Sequence, residues 1–254
     1  VGNAALTANT SGTSNVALGN AMETNSTGDN NVAVGNGALQ ANTTADNNTA
    51  VGRLALKTNT TGYCNTAIGY GAGYSNTTGF TNTYIGQCAG YSATTPEGNT
   101  FVGKFAGGNA GTGNNNIALG INSGVDAVKN ITGTDTHQIV MGSNGNTHAF
   151  IKIDWTVTSD LRDKTEIEDV PHGLDFINQI TPIKYKFKTS REDDTPAGDK
   201  KYGFKAQEIL ALEGDNPVII NNDDADNLKL TTSHLVPVLV NAIKELKAEI
   251  ELLK

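Results

Sequence analysis

The sequence predicts a mainly β chain in two parts: a parallel β-solenoid, or β-roll, over the first half, then a small α+β domain ending in a coiled-coil-like helix. Three observations carry this. A five-residue unit, Asn-x-Ala/aromatic-aliphatic-Gly, recurs about every 17 residues as far as Gly120. The composition changes near Ser159: 25 of the 29 glycines precede it, whereas 13 of 18 Lys/Arg and 19 of 26 Asp/Glu lie from Ser159 onward. The C-terminus carries apolar residues at alternating steps of three and four, the spacing of one helix face.

The repeat appears at Asn15–Gly19, Asn31–Gly35, Asn48–Gly52, Asn65–Gly69, Asn82–Gly86, Asn99–Gly103 and Asn116–Gly120. From Gly2 onward its glycines are 17 residues apart, except for a step of 16 between Gly19 and Gly35. A small residue follows three positions later at Ala5, Ala38, Ala55, Ala72, Ala89, Ala106 and Ser123, with Met22 in the short repeat. A period this short suits two short strands and two turns. A single coil of that size cannot bury its apolar face, but stacked coils can, so residues 1–124 read as a solenoid. At about 4.8 Å per layer, eight coils rise roughly 35–40 Å. The Asn column is expected to form an amide ladder that holds the register. Fixed offsets of aliphatic residue and Gly set aside a disordered linker. The Thr column (Thr49, Thr66, Thr83, Thr100) is interrupted by Val16, Val32 and Ile117, which disfavours an ice-binding face.

Residues 125–158 read as a β-structured neck. A late echo of the repeat, Gln138–Gly142, ends 22 residues after Gly120. Ile151, Ile153, Trp155 and Val157 then alternate with polar residues, as a one-faced strand does.

From Ser159 to Lys254 the elements are mixed. Gly173–Ile180 reads as a short helix stopped before Pro182. Ile183, Tyr185 and Phe187 alternate with lysines as a strand. Thr189–Lys201 is charged, contains Pro196 and Gly198, and reads as a loop. Tyr202 onward starts as strand and becomes helix, and Val218–Ile220 and Leu228–Leu230 are short strands around an acidic turn. In the final helix, 234–254, Val236, Leu239, Ile243, Leu246, Ile250 and Leu253 form a heptad seam with Glu249 and Lys254 flanking it. A core-facing amphipathic helix is the plainer alternative.

The formal charge of −8 disfavours nucleic acid, whose phosphates need clustered Lys/Arg. There is no apolar run of about 18 residues, so no membrane insertion is expected, and no signal peptide is visible. The chain starts mid-repeat at Val1 and is expected to be a piece of a longer protein. Cys64 and Cys88 occupy non-equivalent repeat positions and form no disulfide framework. His137, His148, His172 and His234 are dispersed, and no phosphate-binding loop is present, so no metal or cofactor is expected.

Two family resemblances follow from these motifs. The repeat resembles the left-handed β-roll of trimeric autotransporter heads, though those have a shorter period; the resemblance implies a homotrimer. Residues 159–254 resemble the C-terminal intramolecular chaperone (peptidase S74) domain of phage tail fibres and tailspikes, also found in the myelin regulatory factor. The matching stretches are Ser159–Lys164, Thr165–Ile167, Pro182–Phe187, Gly203–Glu208 and Leu235–Leu253 with Ala242–Leu246. Asp163, where Leu is common, and the acidic insert around Asp223 depart from the pattern.

A serine hydroxyl is a weak nucleophile until a base takes its proton, and lysine can be that base once burial or a neighbouring cation lowers its pKa. Arg162 is the candidate cation. A Ser/Lys pair at this spacing is by itself most often an ordinary charged turn. The resemblance implies more: Ser159 attacks the carbonyl of Thr158, Lys164 is the base, Asp160 and Arg162 support the turn, and the Thr158–Ser159 bond is cut. It implies a phage tail fibre or spike, assembled in the host cytoplasm, carried on the virion and binding a host-cell receptor, with carbohydrate among the candidates. The alternatives are a trimeric bacterial surface adhesin and a fibre whose pair is silent or slow.

Overall fold

The computed structural model describes residues 1–126, 129–143, 145–146, 159–188, 191, 193–223 and 225–254. The strand expected at Ile151–Val157, with Trp155, and the expected scissile residue Thr158 lie outside the described residues. The chain divides into two compact units, 1–148 and 149–254.

The first unit is the solenoid. Three-residue strands β1 (Val16–Leu18), β2 (Val32–Val34), β3 (Thr49–Val51), β4 (Thr66–Ile68), β5 (Thr83–Ile85), β6 (Thr100–Val102) and β7 (Ile117–Leu119) stack in parallel in sequence order. A short antiparallel hairpin, β8 (Val125–Asp126) and β9 (Lys129–Asn130), interrupts the stacking. The echo then joins the sheet as β10 (Ile139–Met141), pairing with β7 residue for residue. The sheet therefore runs on past residue 124, and the longer 22-residue step is absorbed by the hairpin insert.

Each coil holds one strand, not the two expected. The second leg places Met22, Leu39 and Leu56 at φ of 52°, 48° and 48°, left-handed backbone that cannot continue a strand. These residues still hydrogen-bond from coil to coil, with Met22 N–H to Ala38 O at 3.0 Å and Leu39 N–H to Ala55 O at 3.0 Å. Later coils put Gly73, Gly90 and Gly107 at the same position.

That alternation is a size exchange across the core. Each strand points its middle residue inward. Coils with Ala33 and Ala50 fill the opposite leg with the fully buried Leu39 and Leu56. Coils with the fully buried Tyr84 and Phe101 leave glycine opposite. A Cβ on Gly90 would meet Tyr84 Cδ1 at 2.4 Å, and one on Gly107 would meet Phe101 Cδ2 at 2.4 Å. A left-handed leucine costs roughly 1–2 kcal/mol of backbone strain, which burial of its side chain, worth about 1.5–3 kcal/mol, offsets.

Two asparagine columns run through the coils. In the expected one, each backbone N–H bonds the Oδ1 of the asparagine one coil earlier: Asn31 to Asn15 at 2.9 Å, Asn65 to Asn48 at 2.9 Å, Asn116 to Asn99 at 2.7 Å. Its Nδ2 groups bond corner carbonyls, as Asn48 does to Gly62 O at 2.8 Å. The expected amide-to-amide bonds form in this column too, as from Asn65 Nδ2 to Asn48 Oδ1 at 3.2 Å and from Asn82 Nδ2 to Asn65 Oδ1 at 3.0 Å. They also run from coil to coil through a second column, Asn9, Asn25, Asn42, Asn59 and Asn76, linked Nδ2 to Oδ1 at 2.9, 2.7, 3.1 and 2.9 Å. The next position is Ala93, so the buried Oδ1 of Asn76 has no donor.

The second unit holds α1 (Leu174–Gln179), the hairpin β11 (Ile183–Lys188) and β12 (Pro196–Gly203), α2 (Ala206–Glu213), the short pair β13 (Ile220–Asn221) and β14 (Lys229–Leu230), and α3 (Leu235–Leu252). Part of the expected 189–201 loop is thus strand. Pro196 starts β12, where the missing N–H costs least. Lysines of both strands lie over aromatic rings across the hairpin, Lys184 over Tyr202 and, from the expected loop, Lys201 over Phe187. Phe176, Ile209, Ile219, Ile220, Leu235 and Val238 form the core. Glu213 closes α2 onto β13 by accepting the N–H groups of Val218, Ile219 and Ile220 at 2.8, 2.7 and 3.0 Å.

Two outcomes test this packing. Gly90→Leu should lower stability by about 3 kcal/mol through overpacking, and adding Tyr84→Ala should recover more than half of it by recreating an Ala/Leu coil; thermal unfolding of the full chain reads both. Asn59→Ala should cost about 1 kcal/mol more than Asn76→Ala, because Asn59 Oδ1 accepts a ladder bond and Asn76 Oδ1 does not.

Candidate functional site

The site is built at the start of the second unit. Ser159 and Asp160 lead into a single 3-10 turn at Leu161–Asp163. Asp160 caps it: its Oδ1 accepts the Arg162 N–H at 2.9 Å, and its carbonyl accepts the Asp163 N–H at 3.2 Å. The Lys164 N–H closes the turn on Leu161 O at 3.2 Å. Extended, residues five apart in sequence stand about 17 Å from each other. The turn brings Lys164 Nζ to 2.9 Å from Ser159 Oγ.

At that distance the ammonium donates to the hydroxyl, and the neutral amine accepts the hydroxyl's proton. The four site residues predicted from the sequence therefore fall in one turn, as two pairs. Arg162 is engaged with Asp160, through Nη2 to Oδ2 at 2.6 Å and Nε to Oδ1 at 3.1 Å. These bonds, with the Arg162 N–H, hold the Asp160 carboxyl below its ordinary range and raise the guanidinium above its own. Asp160 is thus the brace of the turn, and the guanidinium charge expected to act on Lys164 is balanced by a carboxylate. The whole turn is exposed in the single chain. The single chain supplies the nucleophile–base geometry and leaves the pair in contact with water.

A second feature lies on α3. Leu235, Val238 and Ala242 face the core and are buried. The seam residues Val236, Leu239, Ile243, Leu246, Ile250 and Leu253 are 43–86 % exposed. The core-facing alternative for this seam is therefore not what the helix does: it buries a different stripe. Beside the seam, Ile177, Ile180, Pro182, Phe204, Leu235 and Leu239 line an apolar groove of about 190 Å³. Among the described residues no group of three or more His, Cys, Asp or Glu could hold a metal ion, and no helix is long and apolar enough to cross a membrane.

Residues 159–216 match the peptidase S74 family, described as the chaperone of endosialidase. The match begins at Ser159, the hydroxyl of the pair, and ends just beyond α2. No curated protein and no solved structure matches the chain. The sequence missed the contacts of Asn241 and Glu245: both sit in the helical pattern, but only the fold brings them to residues 170–174.

Arg162→Ala should return the Asp160 carboxyl toward its ordinary value of 3.8. Carbon-detected NMR titration in the Ser159→Ala background reads the shift, with the native carboxyl titrating lower than the variant's.

Proposed function

We propose that this chain is the C-terminal part of a phage tail fibre or spike whose terminal domain drives trimerisation and folding and then cuts itself away between Thr158 and Ser159. The observation that carries the reading is the 2.9 Å Ser159 Oγ–Lys164 Nζ contact at the residue where the family match begins. The family description supplies the chaperone role. The tail-fibre setting, the virion location and a host-surface receptor, with carbohydrate among the candidates, rest on the resemblance alone.

The chemistry runs on the chain's own atoms. Lys164 Nζ, as neutral amine, takes the proton of Ser159 Oγ as the oxygen attacks the carbonyl carbon of Thr158. The C–N bond breaks, and the proton passes from the ammonium to the departing nitrogen of Ser159. The product is an ester between the Thr158 acyl group and Ser159 Oγ. Water then hydrolyses it to a Thr158 carboxylate and a free N-terminal Ser159. Each chain turns over once.

Two exposed apolar surfaces support a trimer. One is the α3 seam. The other is the outer face of the sheet, where the third residue of every strand is aliphatic and Leu18, Ile68, Ile85, Leu119 and Met141 are exposed in register. Contiguous apolar surface of this kind marks an interaction site. Assembly would also remove water from the exposed turn, the condition a lysine base requires. Long-range β pairing is slow and prone to misregister, and a domain that trimerises first raises the local concentration of the fibre strands.

Intact-mass analysis of the purified chain should show fragments of 158 and 96 residues. Ser159→Ala and Lys164→Arg should both remain full length and still trimeric by sedimentation, since a guanidinium does not deprotonate near neutral pH. A 96-residue fragment from either variant would mean that another protease cuts the neck.

A further inference from the structure

The helix that carries the seam also grips the segment that leads from the Ser159–Lys164 turn into the core. On the side of α3 away from the seam, Asn241 Nδ2 donates to the carbonyls of Val170 at 3.2 Å and His172 at 3.3 Å. One turn further on, Glu245 Oε2 accepts the N–H of Leu174 at 2.6 Å, the first residue of α1. The fit is close: a Cβ on Gly173 would meet Glu245 Oε1 at 2.1 Å. The His172 ring stacks on Phe176 at 4.1 Å, and Phe176 is buried in the core that also holds Leu235 and Val238. Between Lys164 and the first of these anchors, residues 165–169 are exposed and form no helix or strand.

We infer that Asn241 and Glu245 are positioning residues for self-cleavage: they couple the assembling helix to the turn that carries Ser159 and Lys164. This rests on the cleavage reading above. Pinned at Val170, the turn hangs on five free residues and reaches about 17 Å. Without the anchors at 170, 172 and 174, the next fixed point is the buried Phe176, and the tether grows to eleven residues. Effective concentration falls roughly as the −3/2 power of tether length, so loss of the grip alone dilutes the turn about threefold around its assembled position. Neither residue touches the reacting atoms or belongs to the heptad seam. Their removal should leave assembly intact and slow the cut.

The test measures the first-order cleavage rate of preassembled full-length trimers, by intact mass over time, for the native chain, Asn241→Ala, Glu245→Ala, the double variant and Glu245→Gln. The trimer fraction is matched by sedimentation. The expected result is a rate reduced about threefold or more in the double variant and less in each single one. Glu245→Gln, which keeps an oxygen acceptor for the Leu174 N–H, should recover most of the native rate. A merely structural loss would lower the melting temperature without rescue by Gln at matched trimer fraction. If the double variant does not assemble, the single variants decide. Native-rate cleavage in Asn241→Ala and Glu245→Ala trimers overturns the positioning role and leaves the Ser159/Lys164 pair standing. A native chain that never cuts overturns the pair, and the positioning role with it.

Discussion

Everything in the solenoid depends on the coil-to-coil register, and buried asparagine amides set it. Backbone hydrogen bonds alone allow a coil to slip along its neighbour. The Asn31–Asn116 column forbids it, because each side chain both accepts a backbone N–H from the next coil and, through Nδ2, closes a corner. A slip would leave several buried amides unpaired, at about 1–3 kcal/mol each. With register fixed, the rest follows. Middle strand residues meet the same opposite-leg position from coil to coil, so Ala33 and Ala50 pair with Leu39 and Leu56, and Tyr84 and Phe101 with Gly90 and Gly107. Third strand residues line up as one aliphatic stripe on the outer face.

The same constraint makes the fold hard to reach. Within the two columns every asparagine-to-asparagine bond joins residues 16 or 17 apart, so the structure rewards the chain only once neighbouring coils are aligned. Parallel strand pairing of this kind is slow and exposed to wrong registers. A compact terminal domain with its own core and an outward seam addresses that difficulty on the proposed reading. On the same proposed reading, removing it afterwards would take away the nucleus, so an opened fibre would not readily refold and its stability would be kinetic.

The solenoid was legible because its signal is periodic: a fixed Gly and a fixed Asn imply stacking without any knowledge of contacts. The second Asn column recurs as regularly, at Asn9, Asn25, Asn42, Asn59 and Asn76, yet its residues sit among Thr, Ser and Gly that read as turn chemistry. The left-handed leucines were not legible, because leucine gives no sign of positive φ; the glycines at 73, 90 and 107 were the only hint. β12 was hidden by Pro196 and by charged residues such as Lys201, whose ring contact exists only once the hairpin has formed. In the site, the motif named Ser159 and Lys164, and spacing alone could not bring them together. The 3-10 turn does that, and it depends on Asp160. The grip of Asn241 and Glu245 on residues 170–174 is a three-dimensional fact that no local pattern encodes.

The central claim is that the turn becomes a protease only inside the assembly, since one chain holds Ser159 and Lys164 at bonding distance in full contact with water. The most direct measurement is the cleavage rate of freshly refolded chain across a dilution series spanning the trimerisation threshold, with assembly followed by sedimentation. The account predicts no cutting in the monomer range, and above the threshold a first-order rate per trimer that further concentration does not change. Monomers that cut themselves at the same rate as trimers would contradict it.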